Sequence, residues 1–293
     1  MDGRAPLQIL VLGATGLLGN AMTKVLAHNA DFEVVATYRG KSPAAVPGVK
    51  FISCPDVTDD ALMQQLIASV RPAGIVNCVG LVKNLINTPA SEVDAFRINA
   101  TFPHKLANWC KIYNTRLIHF STDCVFSGKN GFYPDDAIHD ATDVYGVSKS
   151  LGELIYPHCV TIRSSIVGHC PEHPSGLFDW FISQKYKATT FSNAIYSGLT
   201  TLELAKITST LILPNIEICG VQQIAGMPIS KSELLRLVNE RYGLALALTP
   251  VSEPAIDRSL DGSRFCKRTG YVPPTWETMV DQLALFYGIG KNV

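Results

Sequence analysis

Tyr145-Gly-Val-Ser-Lys149 sets a phenol and an ammonium four residues apart, so that on a helix both side chains share one face. A cation beside a phenol lowers its pKa, which suits the phenol to proton transfer and leaves the ammonium to reach the ribose of a nucleotide. Upstream, His119-Phe-Ser-Thr-Asp123 closes an apolar run, and Thr122 there can bond a carbonyl oxygen beside Tyr145. Thr122, Tyr145 and Lys149 are therefore the candidate catalytic set. Asn99, in the helix before, serves either as a water relay or as a tie between elements. A second Tyr–Lys spacing, Tyr287 to Lys291, has Gly288 and Gly290 between its members, which breaks the helix that would align them.

Such a proton donor needs a hydride source, and the chain begins with a candidate binding loop. Gly13-Ala-Thr-Gly16-Leu-Leu-Gly19 follows the first apolar run and precedes an amphipathic stretch. Glycines there permit positive φ, close approach of a pyrophosphate and tight packing of helix on strand, while the helix N-terminus offers unpaired N–H groups. Gly13, Thr15, Gly16, Leu17, Leu18 and Gly19 are accordingly assigned to a dinucleotide. The next strand ends at Thr37-Tyr38-Arg39, where an acid would accept from the adenosine ribose of NAD. No acid is present; Arg39, supported by Lys41 and Ser42, suits a 2′-phosphate, so NADPH is preferred over NADH. Solvated loop charges are the competing reading of Arg39 and Lys41. Asp56 either accepts from the adenine amino group or caps its own loop, and Val57, Val79 and Gly80 complete the expected cofactor contacts.

The elements that must carry these residues follow from hydrophobic alternation. Strands are predicted at 7–12, 32–37, 49–53, 74–79, 116–120 and 160–166, with helices near 17–28, 58–70, 90–113 and 143–156. Pro72 stops the second helix and Pro103 kinks the third. This is an α/β class chain, a Rossmann-like doubly wound parallel sheet over residues 1–167, completed by part of 190–225. Residues 168–293 form a smaller, discontinuous α/β substrate-binding lobe. It holds an amphipathic stretch from Leu177 to Lys187 after Pro171 and Pro174, and a helix marked by the capping box Ser230 and Glu233.

The composition excludes other classes. Among 293 residues, 25 basic side chains balance 25 acidic ones, so no bulk positive field points to nucleic acid. No apolar run reaches bilayer length and the first residues lack a leader pattern, so the chain is expected to be cytoplasmic, without a membrane partner. Eight cysteines without a CxxC pair read as reduced, buried hydrophobes. His169-Cys-Pro-Glu-His173 has metal-ligand types, but its prolines preclude the helix that would align the two histidines, and no metal is predicted. Phe178, Trp180 and Phe181 read as core before sugar-pocket lining.

Taken together, Gly13-Ala-Thr-Gly16-Leu-Leu-Gly19, Ser121-Thr-Asp-Cys-Val-Phe126, Tyr145-Gly-Val-Ser-Lys149 with Gly152-Glu153, and Thr161-Ile-Arg-Ser-Ser165 resemble an extended short-chain dehydrogenase/reductase. Within that superfamily the chain is similar to the dTDP-4-dehydrorhamnose reductase group over nearly its whole length, ending in Arg258-Ser-Leu-Asp261 and Trp276. The resemblance implies NADPH-dependent reduction of the C4 ketone of a nucleotide-linked 4-keto-6-deoxy sugar. Thr122 would polarise the ketone, Tyr145 donate the proton, and Lys149 tune Tyr145 and fix the ribose. Asp123, Cys124 and Val125 would line the sugar pocket, and Arg258 would meet the pyrophosphate unless it is a plain surface arginine. Tyr196 falls in the loop that similar reductases place over the substrate.

Two positions depart from the group: Cys124 replaces an aromatic, and Ile166 replaces a tryptophan, both near the expected sugar. They leave open which sugar and which nucleotide base are used. Dehydratases of the superfamily follow the threonine with Asp-Glu, whereas here Asp123-Cys124 follows; epimerases are usually longer and hold NAD tightly. A reductase is thus favoured, with an epimerase, a dehydratase or a non-catalytic NADP-binding regulatory subunit as alternatives. A homodimer is common among similar proteins.

Overall fold

The computed structural model describes residues 5–174 and 176–290, and the chain divides into two compact units. The first comprises the described part of Met1–Ser121 with Thr142–Ile162 and Ala205–Gln222; the second comprises Thr122–Ala141, Arg163–Leu204 and the described part of Gln223–Val293.

In the first unit, strands β1 (Leu7–Leu12), β2 (Phe32–Tyr38), β3 (Val49–Ser53), β4 (Gly74–Asn77), β5 (Arg116–Phe120) and β6 (Cys159–Arg163) join a later strand, β11 (Gly220–Gln223). They form one sheet in the order β11-β6-β5-β4-β1-β2-β3. The register Leu10↔Ile75, Ile75↔Leu117 and Leu117↔Cys159 carries an apolar row across four parallel strands. Ile9, Leu10, Val11 and Leu12 are all buried, as a strand covered by helices on both faces requires. Helices α1 (Leu17–Ala27), α2 (Asp60–Val70), α3 (Pro89–Ala95), α4 (Phe102–Ile112) and α5 (Val144–Leu151) accompany the sheet. Met63 and Ile67 of α2 and Phe102, Leu106 and Cys110 of α4 pack with Leu10, Leu12, Ile75 and Leu117 in one core cluster. The strand order reverses between β1 and β4, which opens a crevice at the carboxyl ends of those strands.

The expected third helix is two helices joined by a π-type stretch, Phe96–Thr101, rather than one kinked rod. Pro103 explains it: proline has no N–H to offer the carbonyl of Asn99 four residues earlier, and its ring crowds that carbonyl. The ladder widens instead, with Phe102 N–H donating to Arg97 O. Asn99 sits inside this widened turn. Helix α5 is also shorter than the pattern suggested, ending at Leu151. A Cβ on Gly152 would stand 1.9 Å from Asn99 O, so the end of α5 is pressed onto the widened turn and only glycine fits. Helix α2 stops as expected, at Arg71 in the left-handed conformation directly before Pro72.

The second unit is built from short pieces. Strand β9 (Ala194–Tyr196) lies between β12 (Ile229–Ser230), antiparallel, and β14 (Ile256–Asp257), parallel. Strand β7 (Ile166–Val167) pairs with β10 (Leu199–Thr200), and β8 (Lys187–Phe191) with β13 (Ala247–Val251). The helices are α6 (Leu177–Ile182), the start of α7 (Thr201–Ile207), α8 (Lys231–Arg241), α9 (Ser263–Thr269) and α10 (Trp276–Tyr287). The amphipathic stretch expected to run to Lys187 ends at Ile182, and Lys187 opens β8. Ser230 and Glu233 form the capping box of α8. Phe178 and Phe181 are core residues while Trp180 is exposed.

His169 is held inside this unit: Nδ1 faces Asp179 Oδ1 at 2.9 Å and Nε2 faces the Tyr242 hydroxyl at 3.0 Å. All eight cysteines are free; Cys54, Cys110, Cys159 and Cys170 are buried. Cys219 is exposed, contrary to expectation, because its apolar run ends at the outer strand of the large sheet. Tyr287 ends α10 at Gly288, φ +64°, and Lys291 lies outside the described residues. Among the described residues no helix is long and apolar enough to cross a membrane.

Candidate active site

In the first unit the glycine turn takes the form its sequence demands. Gly13 has φ +81°, and a Cβ on Gly19 would stand 2.0 Å from Gly13 O, so α1 packs against the turn backbone only because Gly19 has no side chain. Gly13 N–H and Ala14 N–H bond back to Thr37, on the side-chain oxygen at 3.1 Å and the carbonyl at 2.8 Å. Helix α1 begins at Gly16 with no side-chain cap and no acid in its first turn, so the partial positive charge of that end is not neutralised locally. This cradle of bare backbone beside an uncapped helix end fits a pyrophosphate. Thr15 and Leu17 are half-buried around it and Leu18 is buried.

Arg39 is exposed just past the end of β2, before Gly40 at φ +80°. Asp56 is exposed too, and its Oδ1 accepts from Thr58 N–H at 2.8 Å and the Thr58 hydroxyl at 2.7 Å. These bonds hold the Asp56 carboxyl below its ordinary pKa, helped by the charges of Arg97 and Arg39. The loop-capping geometry is thus realised on one oxygen of Asp56. Val57 is half-buried beside it.

After β4, the loop of Val79, Gly80 and Leu81 is gripped from two sides. Asn77 Oδ1 accepts Val79 N–H at 3.1 Å. Asn99 Oδ1 accepts Leu81 N–H at 2.8 Å, and its Nδ2 donates to Leu81 O at 2.9 Å and to Ser148 Oγ at 3.1 Å. Ser148 Oγ in turn donates to Tyr145 O at 3.0 Å, so Asn99 ties the loop to α5. Lys149 is 6% exposed, and its ammonium donates to Phe120 O at 2.5 Å, at the carboxyl end of β5. A Cβ on Gly80 would lie 3.5 Å from Asn99 Oδ1 and 3.9 Å from Lys149 Nζ, so the loop, the clamp and the cation adjoin. Burial brings the Lys149 pKa down to about 8, against the opposing charge of Glu153. Tyr145, one turn earlier on α5, is half-buried.

Two residues of this region were not singled out from sequence: Asn77 and His119. Asn77 Nδ2 donates to His119 Nδ1 at 3.1 Å; both residues are 1% exposed. Burial, and then the Lys149 charge, push the His119 pKa well down, so the ring stays neutral. The available signal was a polar side chain near the carboxyl end of each of two strands with apolar interiors, Gly74–Asn77 and Arg116–Phe120.

Thr122 belongs to the second unit, where it caps the short turn Asp123–Val125. Its Oγ1 accepts Cys124 N–H at 3.2 Å and donates to Asp123 Oδ1 at 3.1 Å. Asp123 is buried, which raises its pKa; the nearby Arg258 charge and bonds from Thr122, Cys124 and Ser165 work the other way. Burial and the Asp123 charge push the Cys124 thiol up to about 12, so it is an unreactive small group beside Thr122. Val125 is fully buried with Phe126 and Tyr133. Arg258, half-buried, donates from Nε to Phe126 O at 2.9 Å. Arg163 is an internal tie, donating to Asp135 O and Gln223 Oε1, both at 3.1 Å.

A doubly wound parallel sheet, a glycine turn after its first strand and a Tyr–Lys helix define an extended short-chain dehydrogenase/reductase. More narrowly, the chain belongs to the family described as the RmlD substrate binding domain, whose pattern matches residues 7–167. A dTDP-4-dehydrorhamnose reductase of Streptomyces griseus is 33% identical over 147 residues, 49% of this chain and 43% of that protein. The methionine adenosyltransferase 2 subunit beta of Danio rerio is 32% identical over 155 residues, 52% of this chain and 44% of that protein. The chain thus matches somewhat under half the length of these curated relatives. Among solved structures, a hypothetical dTDP-4-dehydrorhamnose reductase from Sulfolobus tokodaii has a TM-score of 0.74 at 26% identity, covering 92% of this chain and 98% of that one. The Bacillus anthracis dTDP-4-dehydrorhamnose reductase in complex with NADP gives 0.76 at 17% identity over 96% and 99%. The Bordetella bronchiseptica enzyme WbmG in complex with NAD and UDP gives 0.78 at 20% identity over 97% of each chain, and at these identities both share the fold.

Proposed function

We propose that this chain is an NADPH-dependent reductase of the C4 ketone of a nucleotide-activated 4-keto-6-deoxy sugar. The observation that carries this reading is the buried Lys149 ammonium beside the Asn99-clamped loop, on the same helix as Tyr145. The reductase relatives and the family match agree with it. The cofactor would be held by Gly13, Thr15, Gly16, Leu17, Leu18 and Gly19 at the pyrophosphate, by Arg39 at the 2′-phosphate, and by Asp56, Val57, Val79 and Gly80 along the remainder, with the buried Asn99 acting through the loop it clamps rather than by touching the cofactor. When bound it supplies hydride.

The chain's own residues then govern the proton and the carbonyl. Tyr145 gives its phenolic proton to the ketone oxygen, and the Lys149 ammonium stabilises the phenolate left behind. Thr122 donates to the same ketone oxygen, which requires its proton to turn from Asp123 Oδ1 to the substrate. Asp123 and Cys124 line the sugar, Val125 stands behind them in the core rather than at the sugar as the sequence suggested, and Arg258 takes the substrate pyrophosphate through guanidinium donors other than the Nε bonded to Phe126 O.

A second reading, a non-catalytic NADP-binding regulatory subunit, is kept because one relative is named as a subunit, the beta subunit of a methionine adenosyltransferase 2. Purified protein titrated with NADPH and NADH, then challenged with a panel of dTDP- and UDP-linked 4-keto-6-deoxy sugars, separates the two. NADPH oxidation by one panel member supports the reductase; tight NADPH binding without oxidation by any of them moves the assignment to the regulatory subunit.

A further inference from the structure

Tyr196 ends β9 in the second unit and is 5% exposed, yet its hydroxyl has no hydrogen-bond partner among the described residues. Its ring packs beside Trp276, with centroids 5.6 Å apart. Phenylalanine would make that packing equally well without burying an unpaired hydroxyl, so the hydroxyl needs a reason. Thr23, Thr201, His119 and Arg116 also hold buried side-chain atoms without partners; what sets Tyr196 apart is its surroundings. Strand β9 pairs with β14, and Arg258 N–H donates to Ile195 O at 3.0 Å, so Tyr196 and Arg258 stand on adjacent backbones. Two residues on, Gly198 is pressed against Ser165 and Leu199 N–H donates to Ser165 O at 2.9 Å, while Ser165 bonds Asp123, the acceptor of the Thr122 hydroxyl; the Asp123 charge accordingly acts on the Tyr196 phenol. The neighbourhood therefore joins a carboxylate acceptor, a phenol that can donate and an arginine, all within one unit and around the threonine proposed to meet the ketone.

We infer that Tyr196 is a specificity-determining residue whose hydroxyl donates to a ring hydroxyl of the sugar on the carbon next to the ketone. This rests on the reductase reading above. A carboxylate nearby disfavours an anionic partner for the phenol, which leaves a neutral group, and a sugar hydroxyl can accept from Tyr196 while donating to Asp123. Asp123 Oδ1 stands 3.1 Å from Thr122 Oγ1, so with the ketone oxygen at Thr122 the hydroxyl on the adjoining ring carbon is the sugar group that meets Asp123 and with it Tyr196.

The test compares the protein with Tyr196→Phe on two substrates: a 4-keto-6-deoxy sugar nucleotide that the protein reduces, and its analogue lacking the hydroxyl next to the ketone. A site built to bond a hydroxyl discriminates strongly against its loss, so kcat/KM for the hydroxylated sugar falls about 10- to 100-fold in Tyr196→Phe, mostly through KM. The deoxy analogue is handled alike by both proteins, and NADPH affinity is unchanged. Equal kinetics of both proteins on both sugars overturns the inference, since the hydroxyl then serves nothing in the substrate. An equal loss in kcat on both sugars also overturns it, because Tyr196 then acts through Thr122 and Asp123. If the unaltered protein reduces no sugar, the reductase reading itself fails and this inference with it.

Discussion

The two units position their candidate groups by different means. In the first, Lys149, Asn99 and the loop after β4 are fixed by long-range contacts: strand ends, a widened helical turn and a glycine pressed onto a carbonyl. In the second, Thr122, Asp123 and Cys124 are fixed mainly by one short turn and by bonds between sequence neighbours, with Ser165 reaching Asp123 from further along the chain. Geometry set by a packed sheet resists small changes, whereas a hydroxyl oriented by a neighbouring carboxylate can turn without moving the backbone. On the proposed function, the first unit would hold a cofactor that is the same in every turnover, and the second a substrate whose groups must be tested and released.

Substitutions in either unit test this contrast. The largest effect is expected from Lys149→Met, which removes the buried cation: kcat falls about 10³-fold or more, and NADPH affinity drops as well, read by steady-state kinetics and fluorescence titration. Thr122→Val, in the other unit, lowers kcat about 10²-fold while NADPH affinity stays as it was, because one donor to the ketone oxygen is lost. If Thr122→Val weakened NADPH as much as Lys149→Met does, the division of labour between the units would be wrong. Arg39→Ala lowers the preference for NADPH over NADH about tenfold, roughly one charge-assisted bond, with little change in kcat.

A pH dependence follows from the same ammonium as the first variant. With the Lys149 pKa brought down to about 8, the ammonium is present below that pH and lost above it. The rate should therefore decline as pH rises through about 8 in the unaltered protein. A profile flat from pH 7 to 10 would show that the ammonium is not required.

Much of the first unit was legible in the sequence because its signals are local and repeated. Apolar runs gave β1, β3 and β5 with their boundaries, and Gly13, Gly16 and Gly19 carried the turn. Asn99 could be named but not understood, since its role depends on Pro103 opening the helix and on Gly152 arriving from another element. Asn77 and His119 were missed for a related reason: their pairing crosses from β4 to β5, and no spacing along the chain announces it. In the second unit, strands of two or three residues leave no periodicity to read, so β9 and its unpaired Tyr196 hydroxyl emerged only in three dimensions. The shortened α5 and α6 share this origin, as both amphipathic patterns ran past a stop that packing imposed.

Tyr145 is proposed to transfer a proton on a framework that binds NADPH without it, and Tyr145→Phe separates the two. Single-turnover oxidation of bound NADPH by an accepted ketosugar should slow by about 10²- to 10⁴-fold, while the NADPH dissociation constant remains within about twofold. Unchanged oxidation in Tyr145→Phe would show that the proton comes from elsewhere.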